Sequence, residues 1–194
     1  MTLDCRGPRP SQGLVCSNHL TYLDILVYAA TTPVVFVSKR EVRRWPAFGF
    51  FARCGGTIFL DRQSRSGAEK AAQQMKAALE MHAPILLFPE GTSTGGAEVL
   101  RFHPTLLEPA VQLRQPVTAA AVAYRAHGVE ERDLCWFGDA PFVPHLLQTL
   151  GRTGLAAQVE FFPDRRSWSD RKAAALELRE QVQAMRTRMK REFP

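Results

Sequence analysis

The stretch GLVCSNHLTYLDIL, residues 13–26, decides how the fold is read. It passes from a short apolar run, GLVCS, through the polar pair Asn18 and His19, into an apolar run with helical spacing from about residue 22. A strand that is apolar at successive positions suits a sheet covered on both faces, and a helix following within a few residues opens a βαβ unit.

The same alternation extends outward. PVVFVS, GTIFL, PILLF, PVTAAAVAY, LCWFG and AAQVEFF read as further strands, with helices expected near residues 22–31, 46–53, 67–82, 104–114, 142–150 and 169–192. In the third helix Ala68, Ala71, Ala72, Met75, Ala78, Leu79 and His82 form one stripe. The expected fold is α/β, with a mostly parallel central sheet flanked by helices. At 194 residues, 45% hydrophobic and without repeats or low-complexity linkers, the chain is expected to form a single domain over residues 1–194.

A net charge of +6 favours anionic partners: nucleic acid, phosphorylated small molecules or an anionic membrane surface. No nucleic-acid motif accompanies that charge, and the basic residues are mixed with acidic ones, so nucleic acid is not expected. Cys5, Cys16, Cys54 and Cys135 are scattered and show no metal-ligand spacing, which suits a reduced, cytoplasmic protein with no metal. Cys16 reads as a small packing residue rather than as a nucleophile paired with His19. The start, MTLDCRGPRPSQG, has no signal-peptide pattern. The most apolar region, LDILVYAATTPVVFV, is broken by Asp24 and Pro33 and falls short of the roughly 20 apolar residues of a membrane span.

The last helix is expected to begin at Ser169 as N-cap. Its Leu178, Val182, Met185 and Met189 follow one face, and Arg179, Arg186, Arg188, Lys190 and Arg191 load the remainder. That basic face fits either solvent or anionic lipid headgroups. Trp45, Phe48, Phe50 and Phe51, in WPAFGFF, likewise fit either a core or a membrane contact.

His19 carries the chemistry, because an imidazole held neutral and oriented can accept a proton near neutral pH. Asp24 is the nearest orienting carboxylate. Positions five apart on one helix point about 140° away from each other, so the two meet only if His19 lies in the loop and Asp24 in the first helical turn. A second stretch, FPEGTSTGG at residues 88–96, follows the strand PILLF and places Glu90, Gly91, Thr92 and Ser93 where α/β folds hold ligands. It is not a P-loop, since no Gly-Lys-Ser/Thr follows. Lys39, Arg40, Asp61 and Arg62 close two other strands along the same polar edge.

Taken together, NHLTYLD, GTIFLDR, FPEGTST and PVTAAAVAY, in that order, resemble the four motif blocks of the glycerolipid acyltransferases typified by 1-acylglycerol-3-phosphate (lysophosphatidic acid) acyltransferase. FVSKREVRRWPAFGFFARCGG and LCWFGDAPFVPHLLQTL are similar to the bacterial branch that includes lyso-ornithine lipid acyltransferases, and the likeness covers residues 14–163. The resemblance implies that His19, oriented by Asp24, takes the proton from a lysolipid hydroxyl as it attacks the thioester of acyl-CoA or acyl-carrier protein. It implies no metal, no further cofactor and no covalent intermediate. The substrate-binding residues it implies are Asn18, Lys39, Arg62, Glu90, Gly91, Thr92 and Ser93, with Arg62 meeting an anionic headgroup.

Ser93 stands where that pattern commonly has arginine, His103 where lysine follows the Phe102 position, and Ala119 where proline is frequent. The first two changes remove positive charge from the acceptor site. The expected acceptor is 1-acylglycerol-3-phosphate, with lyso-ornithine lipid, or a non-catalytic lipid-binding role, as the alternatives. The expected location is cytoplasmic, peripheral on the inner face of the cell membrane.

Overall fold

Strands that are apolar along their length and helices apolar along one stripe build a three-layer α/β structure, seen in a computed structural model that describes residues 1–45, 48–61 and 64–193. The elements are β1 (Thr2–Arg6), β2 (Leu14–Ser17), α1 (Leu23–Thr31), β3 (Val35–Lys39), α2 (Phe48–Cys54), β4 (Ile58–Leu60) and α3 (Arg65–Glu80). They continue with β5 (Ile85–Leu87), α4 (Glu108–Gln112), β6 (Val117–Arg125), α5 (Phe142–Leu150), β7 (Ala156–Phe161) and α6 (Arg171–Glu192). The seven strands lie in the order β1-β7-β6-β2-β5-β3-β4; β6 and β7 pair antiparallel and the other neighbours in the sheet pair parallel.

The pleat sends alternate residues of each strand to opposite cores. On one face Leu14, Cys16, Ile85, Leu87, Ala119 and Ala121 meet α3, α4 and α6. On the other Val15, Leu86, Ala120 and Val122 meet Leu23, Val27 and Tyr28 of α1 and, at the rim, Phe142 and Leu146 of α5. The alanines of β6 let α6 lie close, with Ala174, Ala175, Leu178 and Val182 buried against the sheet. β2, flanked by β6 and β5, is fully buried, so its C-terminal end opens at the middle of the sheet. That end is where an α/β fold holds its ligands.

Several expectations are corrected. LCWFG is not a strand: a 3₁₀ turn spans Glu131–Leu134, and Cys135 and Trp136 continue as a loop whose Trp136 N–H donates to Leu20 O at 2.9 Å. Its β-like composition reflects burial of Leu134 and Cys135, not a ladder. β1, whose TLDCR is too polar to read as a strand, pairs with β7 alone at the sheet edge. The helix expected over 104–114 divides into a 3₁₀ turn, Pro104–Leu107, and α4, where Pro109 sits in the first turn. α6 is capped not by Ser169 but by Asp170, whose carboxylate accepts from the N–H groups of Lys172 and Ala173 at 2.8 and 2.7 Å.

The aromatic cluster divides as well. Trp45 packs against Trp136 and Phe142, with ring centroids 5.6 and 5.4 Å apart, whereas Phe50 and Phe51 on α2 are 57% and 69% exposed. Pro46 and Ala47 of the same stretch lie outside the described residues. Arg186, assigned from the sequence to a solvated basic face, is 2% exposed.

Candidate active site

Cys16 and Leu87 form the last pair of the ladder between β2 and β5. Three residues beyond each, the chain carries His19 and Glu90, and the His19 N–H donates to Glu90 Oε1 at 2.8 Å. The parallel register of two neighbouring strands thus joins two motifs some seventy residues apart.

His19 lies in the loop and Asp24 in the first turn of α1, the placement that lets them meet. Nδ1 of His19 is 2.7 Å from Oδ2 of Asp24. The carboxylate is fully buried and well supplied with donors: Oδ2 also accepts from Leu20 N at 2.7 Å and Thr21 N at 3.3 Å, and Oδ1 accepts from the Tyr124 hydroxyl at 2.7 Å. Position near a helix N-terminus favours the negative charge further. Phe88 stacks on the imidazole, centroids 4.2 Å apart and 16° from parallel, which fixes the ring plane. The His19 side chain stays 23% exposed, and no described residue bonds its Nε2.

Glu90 is 3% exposed and spends both oxygens on backbone: Oε1 on His19 N, Oε2 on Leu100 N at 2.7 Å. Burial outweighs those two donors and pushes its carboxyl up to about 7. Gly91 takes φ +77°, a left-handed turn that a side chain would strain, and its N–H closes the turn on Phe88 O at 3.1 Å. Thr94 N then bonds His19 O at 2.9 Å, so the loop holding Gly91, exposed Thr92 and half-buried Ser93 is tied to the histidine.

Asn18 turns to β6 with its whole amide, accepting from Val122 N at 2.9 Å and donating to Val122 O at 3.1 Å, and is 2% exposed. Lys39 is exposed at the end of β3, one strand beyond β5 along the same edge. Arg40 beside it is taken up by Asp61, 2.5 Å away. Arg62 lies outside the described residues. Cys16 is fully buried and its thiol pKa is raised by that burial, which suits packing and not nucleophilic attack. Among the described residues no three His, Cys, Asp or Glu side chains gather to hold a metal, and no helix is long and apolar enough to cross a membrane.

Tyr124 and the backbone of Leu100 are the site residues sequence reasoning missed. Tyr124 stands in PVTAAAVAY, a hundred positions from the carboxylate it bonds, and only the sheet order brings them together.

An imidazole with one nitrogen on a buried carboxylate and the other unbonded among the described residues stands at the C-terminal end of a central parallel strand of an α/β scaffold, an arrangement with the chemistry to accept a proton. Residues 5–125 match the family model described as Acyltransferase, and the chain belongs to that family. It is 40% identical over 168 residues to the lyso-ornithine lipid O-acyltransferase of Rhodobacter capsulatus, covering 80% of this chain and 59% of the relative. It is 34% identical to the protein of the same name from Pseudomonas aeruginosa, covering 72% and 54%. The 1-acyl-sn-glycerol-3-phosphate acyltransferase of Neisseria gonorrhoeae is 31% identical, over 59% of this chain and 45% of the relative. The chain thus spans little more than half the length of the curated relatives it matches. The crystal structure of the 1-acyl-sn-glycerophosphate acyltransferase of Thermotoga maritima shares the fold, with TM-score 0.72 at 20% identity over 97% of this chain and 72% of that one.

Proposed function

We propose that this chain carries the catalytic site of an O-acyltransferase that moves a fatty acyl group from acyl-CoA or acyl-carrier protein to the free hydroxyl of a lysolipid. The observation that carries the reading is the His19–Asp24 pair with Nε2 open. Nε2 takes the hydroxyl proton as the oxygen attacks the thioester carbonyl. Collapse of the tetrahedral adduct breaks the C–S bond, and the imidazolium returns its proton to the departing thiolate. Asp24 stabilises the imidazolium in between. The reaction needs no cofactor beyond its thioester co-substrate.

Glu90 holds the backbone of His19 and the segment at Leu100, Asn18 holds β2 to β6, and the Gly91–Ser93 turn lies beside the histidine. Lys39 and Arg62 serve an anionic group on one of the two substrates. Lyso-ornithine lipid is the acceptor best supported, by the name shared by the 40% and 34% identical relatives and by Ser93 and His103 standing where the phosphate-acceptor pattern commonly has arginine and lysine. 1-Acylglycerol-3-phosphate is the second reading, supported by the Neisseria relative. The site works at the inner face of the cell membrane, with the protein attached peripherally.

Thiol release from an acyl-CoA, with each acceptor in turn and with acyl-carrier protein as the other donor, tests the reading. Acceptor-dependent release is expected, and His19→Ala is expected to fold normally and lower turnover by about 10² to 10⁴. Unchanged turnover in that variant would overturn the mechanism.

A further inference from the structure

The base pair is itself held by a polar network reaching from the last helix. Among the described residues, Oδ1 of Asp24 receives one donor, the Tyr124 hydroxyl at 2.7 Å. Tyr124 is 2% exposed, and burial and the neighbouring Asp24 charge both keep the phenol protonated and therefore donating. Its backbone is fixed by the 3₁₀ turn that follows β6: Tyr124 N donates to Glu131 Oε1 at 3.0 Å.

Glu131 is in turn gripped by Arg186 of α6, at 2.9 Å to Oε1 and 2.6 Å to Oε2. The same guanidinium donates to Val122 O at 2.9 Å and to Gly96 O at 3.3 Å. Val122 O also receives the Asn18 amide. One side chain therefore spans β6, the strand-end residue that leads into His19, and the loop that follows Glu90. A buried ion pair is an expensive way to gain stability, since an apolar pair of similar volume often does as well. Its fork does supply directional contacts that an apolar pair lacks.

We propose that Tyr124, held in place by Glu131 and the buried Arg186, is a positioning residue that fixes the Asp24 carboxylate and thereby sets the pH range over which His19 works. Tyr124 touches no reacting atom and acts through Asp24. Losing the phenol donor leaves the carboxylate less stabilised and more strongly attracted to the imidazolium, so protonated His19 persists to higher pH. The charged and titratable groups around the pair are Asp24 and Tyr28 from α1, Glu90 from the loop after β5, Tyr124 from β6, and Cys135 and Arg186 further out. Glu90, raised to about 7 by burial, itself titrates across a neutral pH profile, so kinetics and a direct probe of the histidine are both required.

The experiment compares wild type, Tyr124→Phe and Arg186→Lys. It reads kcat and KM for thiol release against pH, and the titration of the His19 ring in ¹⁵N-histidine-labelled protein, with His19→Ala assigning the resonance. Tyr124→Phe is expected to lower kcat about tenfold at neutral pH with KM within about twofold, the effect of one hydrogen bond to a charged group. The acid limb and the ring titration should both move up by about 0.5 to 1 unit. Arg186→Lys keeps the charge on Glu131 but loses the fork, and should move both readouts the same way by less. A wild-type ring titration in Tyr124→Phe, or a kcat loss equal at every pH, would overturn the proposal. The kinetic arm rests on the acyl-transfer reading; if wild type turns over no lysolipid, that reading fails while the ring titration still decides the positioning role.

Discussion

At the residue scale, Glu90 separates structural from catalytic electrostatics. Its carboxyl, raised by burial from 4.5 to about 7, keeps a proton in the folded chain that the unfolded chain has already released. Between those two values the folded state binds more protons, so this group makes stability fall as pH rises through the window, by about 1 to 3 kcal/mol in total. Chemical denaturation at pH 4.5, 6 and 8 should show that downward slope in wild type and a flatter one in Glu90→Gln. The variant also misplaces one acceptor for two backbone N–H groups, so the slope and not the absolute stability is the test; identical slopes would remove Glu90 as the cause. His19, Asp24 and Glu90 were legible in the sequence because each lies in a short motif whose spacing limits its geometry. Tyr124 was not, because nothing local distinguishes a tyrosine that bonds a buried carboxylate from one that fills a core.

At the scale of elements, the strands next to the site were legible because β2, β5 and β6, up to the exposed Arg125 that ends β6, are buried and read as apolar runs. LCWFG was misread because burial and strand pairing leave the same composition. In α6 the stripe of Leu178, Val182, Met185 and Met189 was legible, yet Arg186, one turn after Val182, was assigned outward on its charge. Arg179 and Lys190 also turn to protein, donating to Val99 O at 3.0 Å and Ala97 O at 3.4 Å, so much of the basic face clamps the segment behind Glu90. Arg188, Lys190 and Arg191 stay exposed, and apolar candidates for a membrane contact lie on other helices. Phe50 and Phe51 project from α2, and Val143, Leu147 and Leu150, spaced one turn apart on α5, are 60%, 65% and 71% exposed. Phe50→Ala/Phe51→Ala and Val143→Ser/Leu147→Ser/Leu150→Ser should each keep wild-type stability, since little buried area is lost. Each should weaken co-sedimentation with lipid vesicles by about tenfold or more if its face enters the headgroup layer. Undiminished binding by both would place the contact on another surface.

At the scale of the whole molecule, α/β architecture follows from the alternation of apolar runs, but strand order does not: the polar β1 at the edge and the reversal of β6 against β7 depend on pairings that no local pattern encodes. Net charge is a whole-molecule property that needs no topology, and +6 makes a direct prediction about membrane attachment. Each basic residue near an anionic bilayer contributes about 1 kcal/mol, and that attraction decays over a Debye length of about 8 Å at physiological salt and about 3 Å at 1 M. Apolar insertion of Phe50, Phe51 or the α5 stripe is not screened in this way. Co-sedimentation with phosphatidylglycerol-containing vesicles should therefore fall steeply between 0.05 and about 0.5 M salt and level off at a residue set by apolar contact. Vesicles of phosphatidylcholine alone should show only the salt-insensitive part. The apolar variants should lower the plateau and leave the steep part in place. Binding that ignores both salt and lipid charge would show that the positive charge serves the substrates at the polar edge of the sheet and plays no part in holding the protein to the bilayer.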